Sequence, residues 1–169
     1  MKVCETERLI LRQLQKDDAA FILELLNEPS FLQNIGDKGV RTIDDACQYI
    51  LNGPVASYER FGFGLYLVAL KETRLPIGIC GLVKRDGLED MDIGYALLPQ
   101  FWSKGYAFEA ASAVLTFGRQ TLGLKRIVAI TTPDNHSSIR VLHKLGLKFE
   151  KMVKLPGAET ESKLFTPEA

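Results

Sequence analysis

Residues 92–110, Asp-Ile-Gly-Tyr-Ala-Leu-Leu-Pro-Gln-Phe-Trp-Ser-Lys-Gly-Tyr-Ala-Phe-Glu-Ala, run from an apolar strand pattern through a short loop into an amphipathic helical pattern. The first N–H groups of a helix have no partner inside it, and the helix dipole places partial positive charge there. Small residues at Gly105, Ala107 and Ala110 would let a diphosphate approach those groups. The chemistry suggested is a phosphate cradle, and the common nucleotide motifs do not describe it. Gly105 is not followed by the Gly-Lys-Ser/Thr of a P-loop, and no Gly-x-Gly-x-x-Gly follows the strand. Gly62-Phe63-Gly64 leads into a strand pattern instead of a helix. The same small residues would also serve tight packing of a helix on a sheet.

A second segment, Thr132 to Glu150, carries a β-branched strand end, then Asn135, then a helix with Arg140 and Lys144 one turn apart. An asparagine at a strand end can hydrogen-bond an amide-bearing ligand, and two bases at i,i+4 can meet a phosphate. Read individually, Asn135 is equally a helix N-cap and the two bases a solvated face. Other constellations lead nowhere. Cys80 lies in a strand interior, His136 and His143 lack metal-ligand neighbours, and Phe101 stands where a Gly-x-Ser-x-Gly elbow around Ser103 needs glycine. No metal is expected.

The elements that must position these segments are readable from periodicity. Thr6 to Leu14 reads as a first strand, and Phe21, Ile22, Leu25 and Leu26 as a helix that Pro29 ends. Thr42 or Asp44 starts a second helix, which Gly53-Pro54 breaks or kinks. Residues 62–98 read as a three-stranded antiparallel meander with a hairpin cue at Asp86-Gly87. A helix from Gly105 to Thr121 follows, with a stripe of Phe108, Ala111, Leu115, Gly118 and Leu122. Then come a buried strand over 126–132, a short helix with Ile139, Leu142 and Leu145, a strand over 147–155 and a weaker one over 162–166. The order predicts an α/β fold with antiparallel hairpins first and a βαβ crossover later.

Composition sets the outer limits. The 169 residues, 46% hydrophobic and 25% charged, suit one domain over 1–169 and exclude disorder and coiled coil. With 21 basic and 21 acidic residues, a general nucleic-acid role is not expected. No apolar run is long enough for a membrane span, and three scattered cysteines suggest a reducing, cytoplasmic setting. The charge is nonetheless divided. Residues 1–99 hold 11 bases and 15 acids, a net −4, and residues 100–169 hold 10 bases and 6 acids, a net +4.

Taken together, the two segments resemble the GNAT superfamily of N-acetyltransferases, and more narrowly its RimJ/RimL-like branch. Thr6-Glu7-Arg8-Leu9-Ile10-Leu11-Arg12 is similar to the first strand of that branch. Ile93-Gly94-Tyr95 through Pro99, with Trp102 to Ala110, resembles its acetyl-CoA segment, and Asn135 to Ser138 with Leu145-Gly146 and Phe149-Glu150 its second cofactor segment. The resemblance implies a mixed, mostly antiparallel sheet, splayed between the strands at 91–98 and 126–132 and flanked by about four helices. It implies that acetyl-CoA enters the splay. The loop Trp102, Ser103, Lys104, Gly105, Tyr106 and Ala107 would hold the pyrophosphate by its amides. The strand Tyr95, Ala96, Leu97 and Leu98 would pair with the pantetheine arm as though it were an added strand. Asn135 would bond the pantetheine region, while Arg140 and Lys144 would meet the adenosine phosphates. Trp102 stands where the family often has Arg or Gln.

The family reaction is direct attack of an amine on the thioester. It needs a proton acceptor for the amine and a proton donor for the departing thiolate. Asp92 lies where the branch frequently carries an acid and is the candidate general base. The alternative is a hairpin carboxylate in the cluster Glu89-Asp90-Asp92. Ser138 is the candidate acid for the sulfur, or else an ordinary helix-start residue. Residues 147–169 contain no tyrosine, which excludes the family's usual tyrosine acid there. The acceptor is expected to be a protein N-terminus or a small amine such as a polyamine, an amino-acid derivative or an aminoglycoside. It would approach from the side of helices 17–27 and 42–58 and be met by the acidic cluster at 86–92. The chain would act as a monomer or homodimer. The alternative is a non-catalytic acyl-CoA-binding or sensor module of the same fold.

Overall fold

The computed structural model describes residues 1–167, which excludes the last two residues of the expected 1–169 domain. Eight strands form a sheet in the order β1-β2-β3-β4-β5-β6-β8-β7. They are β1 (Lys2–Glu5), β2 (Leu9–Gln13), β3 (Leu65–Leu70), β4 (Pro76–Val83), β5 (Met91–Leu97), β6 (Ile127–Thr131), β7 (Leu147–Val153) and β8 (Ser162–Pro167). All neighbours pair antiparallel except β5 and β6, which run parallel. That single parallel pair is joined by the long helix α5 (Tyr106–Gln120), which makes the expected βαβ crossover.

Where β5 and β6 meet, the sheet opens. Only Met91 with Ile127 and Asp92 with Val128 are in register; beyond Asp92 the strands part. β5 remains paired with β4 along its other edge, from Val83 opposite Asp92 to Gly78 opposite Leu97. The edge of β5 from Ile93 to Leu97 therefore has no strand beside it. This is the expected splay.

The apolar residues bury two faces. On one, Ala110, Ala111, Val114 and Leu115 of α5 pack on Leu9, Leu11, Val68, Leu82 and Ile127. Gly118 lets the helix lie close, because a Cβ there would sit 2.8 Å from Ile127 Cδ1. On the other face, α1 (Ala19–Leu26) and α3 (Ile43–Ile50) place Ile22, Leu25, Leu26, Ala46 and Ile50 against Leu67, Ala69 and Ile79. Thr42 caps α3, its hydroxyl accepting from the Asp45 amide. The last helix, α6 (His136–Lys144), buries Leu142.

Several elements differ from the sequence reading. The N-terminal strand is two strands: β1 folds back on β2, and Thr6 to Arg8 form the connection. Pro29 does not simply end the first helical region. It occupies the first turn of a further short helix, α2 (Pro29–Asn34), where its missing N–H costs nothing. Gly53-Pro54 does not break the second helix. The chain passes through one π turn, Leu51–Val55, which absorbs the proline, and continues as α4 (Ala56–Phe61). With α3 and α4 counted as one bent body, the described residues form five helical bodies, α2 adding one to those read from the sequence. Phe108 leaves the predicted stripe and is 38% exposed; Ala110 and Val114 face the core instead.

Candidate active site

A cleft of about 890 Å³ follows the open edge of β5. One wall is built by β5 and the start of α5, the opposite wall by β6 and α6, and the far end by α2, α3 and the turn before α4. Of the residues singled out from the sequence, Asp92, Tyr95, Ala96, Leu97, Trp102, Ser103, Gly105, Tyr106, Ala107, Asn135, Ser138, Arg140 and Lys144 all line it. Two do not. Leu98 is turned into the core among the α1 and α3 side chains. Lys104 is absent from the cleft wall, and its carbonyl is engaged from behind by Arg8.

The start of α5 is built to offer amides. Gly105 adopts φ +84, which only glycine reaches without strain, and Ser103 is also left-handed at φ +62. Among the described residues, the N–H groups of Ser103 and of Gly105 to Phe108 have no protein acceptor, while Lys104 closes the preceding turn; the first intrahelical bond is made by Glu109 to the Gly105 carbonyl. A row of unpaired amides at the positive end of a 15-residue helix fits a pyrophosphate. Trp102 does not take the part of the family's Arg or Gln through its ring nitrogen. Its Nε1 donates to the Leu97 carbonyl at 2.9 Å and ties the loop to the end of β5.

Behind this loop stands a brace that sequence reading missed. Arg8 Nη1 donates to the Lys104 carbonyl at 3.0 Å, Nε meets Glu109 Oε1 at 2.7 Å, and the guanidinium lies 4.3 Å from the centre of the Tyr106 ring. Glu109 also accepts from the Thr6 hydroxyl at 2.5 Å and from the Arg8 amide at 2.9 Å. Burial would raise the Glu109 pKa, but the Thr6 and Arg8 hydrogen bonds outweigh it and hold the carboxyl below its usual range. The partners lie about a hundred positions apart along the chain, so only an acid and a base with no local partner were visible beforehand.

At the fork of the splay, Asp92 is 1% exposed. Its Oδ2 pairs with Arg85 Nε at 2.5 Å, while Oδ1 has no hydrogen bond of normal geometry. Burial dominates and pushes the carboxyl up to about 6; Arg85 and the nearby Ile130 amide pull the other way and lose. The acidic cluster it belongs to in sequence is dispersed. Asp90 pairs with Arg126 at 3.0 Å, and Asp86 and Glu89 are exposed and outside the cleft lining, so the cluster does not face the cleft as a unit.

Across the splay, the Tyr95 hydroxyl lies 2.8 Å from Ser138 Oγ and also donates to the Ser138 carbonyl at 3.2 Å. Burial pushes the Tyr95 phenol up to about 12, so it stays protonated at neutral pH. Sequence reading used only the backbone of Tyr95; its side chain reaches the other wall. Asn135 is a helix cap in the structure, its Oδ1 accepting from the Ser138 amide at 3.3 Å, which leaves its NH₂ group available. Arg140 leans on Ser137 at 3.3 Å on an exposed face near Lys144. Cys80 is fully buried and its thiol pKa is pushed up by burial, as expected of a structural residue.

A parallel pair that forks, an unpaired strand edge and a row of helix-start amides at its end lie along one cleft, an arrangement that could accept a long, phosphate-bearing ligand with an extended arm. The family described as Acetyltransferase (GNAT) domain matches residues 8–148, and the chain belongs to that family of acetyl-CoA-dependent acetyltransferases. The chain is 31% identical over 154 residues to an uncharacterized N-acetyltransferase of Bacillus subtilis, YoaA, covering 90% of this chain and 86% of that one. Among solved structures, a GNAT acetyltransferase from Bacillus anthracis superposes with a TM-score of 0.80 at 25% identity, covering 98% of this chain and 97% of the other. RimL, a ribosomal alpha-N-protein acetyltransferase in complex with coenzyme A, gives a TM-score of 0.83 at 17% identity, over 98% and 97% of the two chains. Among the described residues no helix is long and apolar enough to cross a membrane.

Proposed function

We propose that residues 1–169 form one catalytic domain that transfers the acetyl group of acetyl-CoA to a primary amine, by direct attack while both substrates are bound. The observation that carries this reading is the alignment, along one cleft, of the α5 amides, the open β5 edge and the buried Asp92 carboxylate. The likeness to RimL, a ribosomal alpha-N-protein acetyltransferase, supports placing the chain near the RimJ/RimL-like branch, with a protein N-terminus or a small amine as acceptor.

Acetyl-CoA supplies the acyl carbon and a thiolate leaving group. The amides of Ser103 and of Gly105 to Phe108 hold the pyrophosphate, with Arg8 and Glu109 fixing the loop from behind. The backbone from Ile93 to Ala96 pairs with the extended arm, and the Asn135 amide group reaches it from the other wall. Arg140 and Lys144 meet the adenosine phosphates. Asp92, with a pKa near 6, is ionised at neutral pH and takes the proton of the incoming ammonium, directly or through water. The neutral amine attacks, the C–N bond forms, and the nitrogen sheds its second proton to solvent as the C–S bond breaks. Ser138 passes its proton to the sulfur, and Tyr95, hydrogen-bonded to it, resupplies the hydroxyl and is itself reprotonated by water.

Titration with acetyl-CoA followed by a free-thiol assay across a panel of amines tests the proposal. Saturable binding and amine-dependent thiol release are expected. Binding without release from any amine would leave the acyl-CoA sensor as the correct description, and no binding would remove both.

A further inference from the structure

The far end of the cleft, past Asp92, differs in charge from what the acidic N-terminal half suggests. β3 begins, β4 ends and β5 begins at this end of the sheet. The charged side chains lining it are Lys38, Arg60, Lys84 and Arg85 against Glu28 and Asp92, a cationic excess of two. The carboxylate of Asp92 is matched by Arg85. Asp37, next to Lys38, is taken by Arg41 at 2.5 Å. Lys84 is turned to the Leu88 carbonyl at 2.9 Å, and Arg60 lies over the Phe61 ring at 4.9 Å. Lys38 forms no ion pair among the described residues, and its electrostatic neighbour is another cation, Arg85. Tyr49 also lines the cleft, near enough for its phenol to feel the Arg85 charge.

We propose that the acceptor is an amine carrying an anionic group, a carboxylate foremost, within a few bonds of its nitrogen, and that Lys38 and Arg85 hold that group with help from the Tyr49 hydroxyl. This inference rests on the acyl-transfer reading above and narrows its substrate. A polyamine would bring further positive charge to an end that is already cationic. A carboxylate-bearing amine satisfies Lys38 and leaves its nitrogen facing Asp92. The placement also serves the chemistry, because neighbouring cations disfavour an ammonium and raise the fraction of neutral, nucleophilic amine. Partial desolvation at the cleft mouth, and then the Arg85 charge, lower the Lys38 pKa, although the residue as a whole is exposed to solvent. Tyr49 is pushed upward by burial and remains a hydrogen-bond donor at neutral pH.

The shared chemistry has two sources, a free amino acid or the acidic N-terminus of a peptide, and matched pairs separate them. With the full chain and saturating acetyl-CoA, kcat/KM is measured for free α-amino acids against their own amides. The same is done for short peptides with Asp against Asn at the second position, and for spermidine. The acid member of at least one pair is expected to lead by about tenfold, the size of a partly exposed ion pair. The pair that shows the preference identifies the source. Lys38→Gln should bring acid and amide close to parity through KM, and Lys38→Glu should reverse their order, with acetyl-CoA affinity unchanged. Amides or spermidine acetylated as well as the acids, or an acid preference that survives Lys38→Glu, would overturn this inference while leaving the enzyme reading intact. Failure of every amine to release thiol would overturn both.

Discussion

The two ends of the cleft solve recognition in different ways. The α5 end presents backbone amides, fixed by two left-handed residues and braced by Arg8 and Glu109. The Asp92 end presents side chains, two cations and a buried carboxylate drawn from separate loops and strands. Backbone recognition depends on local conformation, so it leaves a compact sequence trace around Gly105. Side-chain recognition depends on which distant segments meet, so it leaves none. The α5 end is thus suited to a co-substrate common to many relatives, and the Asp92 end to what distinguishes this chain.

Substitutions that injure one end and spare the other are the way to break that contrast. The largest effect is expected at Asp92: Asp92→Asn should lower kcat by about a hundredfold or more, with acetyl-CoA affinity retained, because a general base is lost. Stability should move the other way. Burial raises the folded-state carboxyl to about 6, above its unfolded value of about 3.9, so its stabilising contribution is complete below about pH 4 and lost as pH rises through 6. Thermal melting of Asp92→Asn relative to the parent should therefore improve between pH 4 and 7.

Next in size is Gly105→Glu, expected to weaken acetyl-CoA binding about tenfold to a hundredfold by calorimetry. A side chain at φ +84 is strained, and its carboxylate would repel the pyrophosphate. Ser138→Ala should cost about tenfold in kcat with little change in either KM, and Tyr95→Phe less, if the sulfur draws its proton from this pair. The smallest effect is assigned to Arg8→Ala, a few-fold rise in KM for acetyl-CoA, because the brace is partly exposed and the amides remain.

Much of the architecture was legible because strand and helix periods are local. The meander, the crossover helix and the caps at Thr42 and Asn135 needed only neighbouring residues. The misreadings share a cause. Pro29 and Pro54 look like stops, yet one is at home in a helix's first turn and the other is absorbed by a π turn that keeps α3 and α4 packed on the sheet. Within the site, Gly105 and Ser138 were found through a short motif. Arg8, Arg85 and Lys38 carried no such mark, since their roles arise from contacts with Glu109, Asp92 and the cleft mouth. Asp92 was named for its position next to Ile93-Gly94-Tyr95, but its burial and raised pKa follow from the fork between β5 and β6, which no single segment specifies.

The pH dependence of kcat, measured with saturating acetyl-CoA and amine for the parent and for Asp92→Asn, tests the central claim most directly. The parent should show an acidic limb with an apparent pKa near 6, activity rising as Asp92 loses its proton, and the substitution should remove that limb along with most of the rate. An unchanged limb and an unchanged rate in Asp92→Asn would show that the proton of the amine leaves by another path.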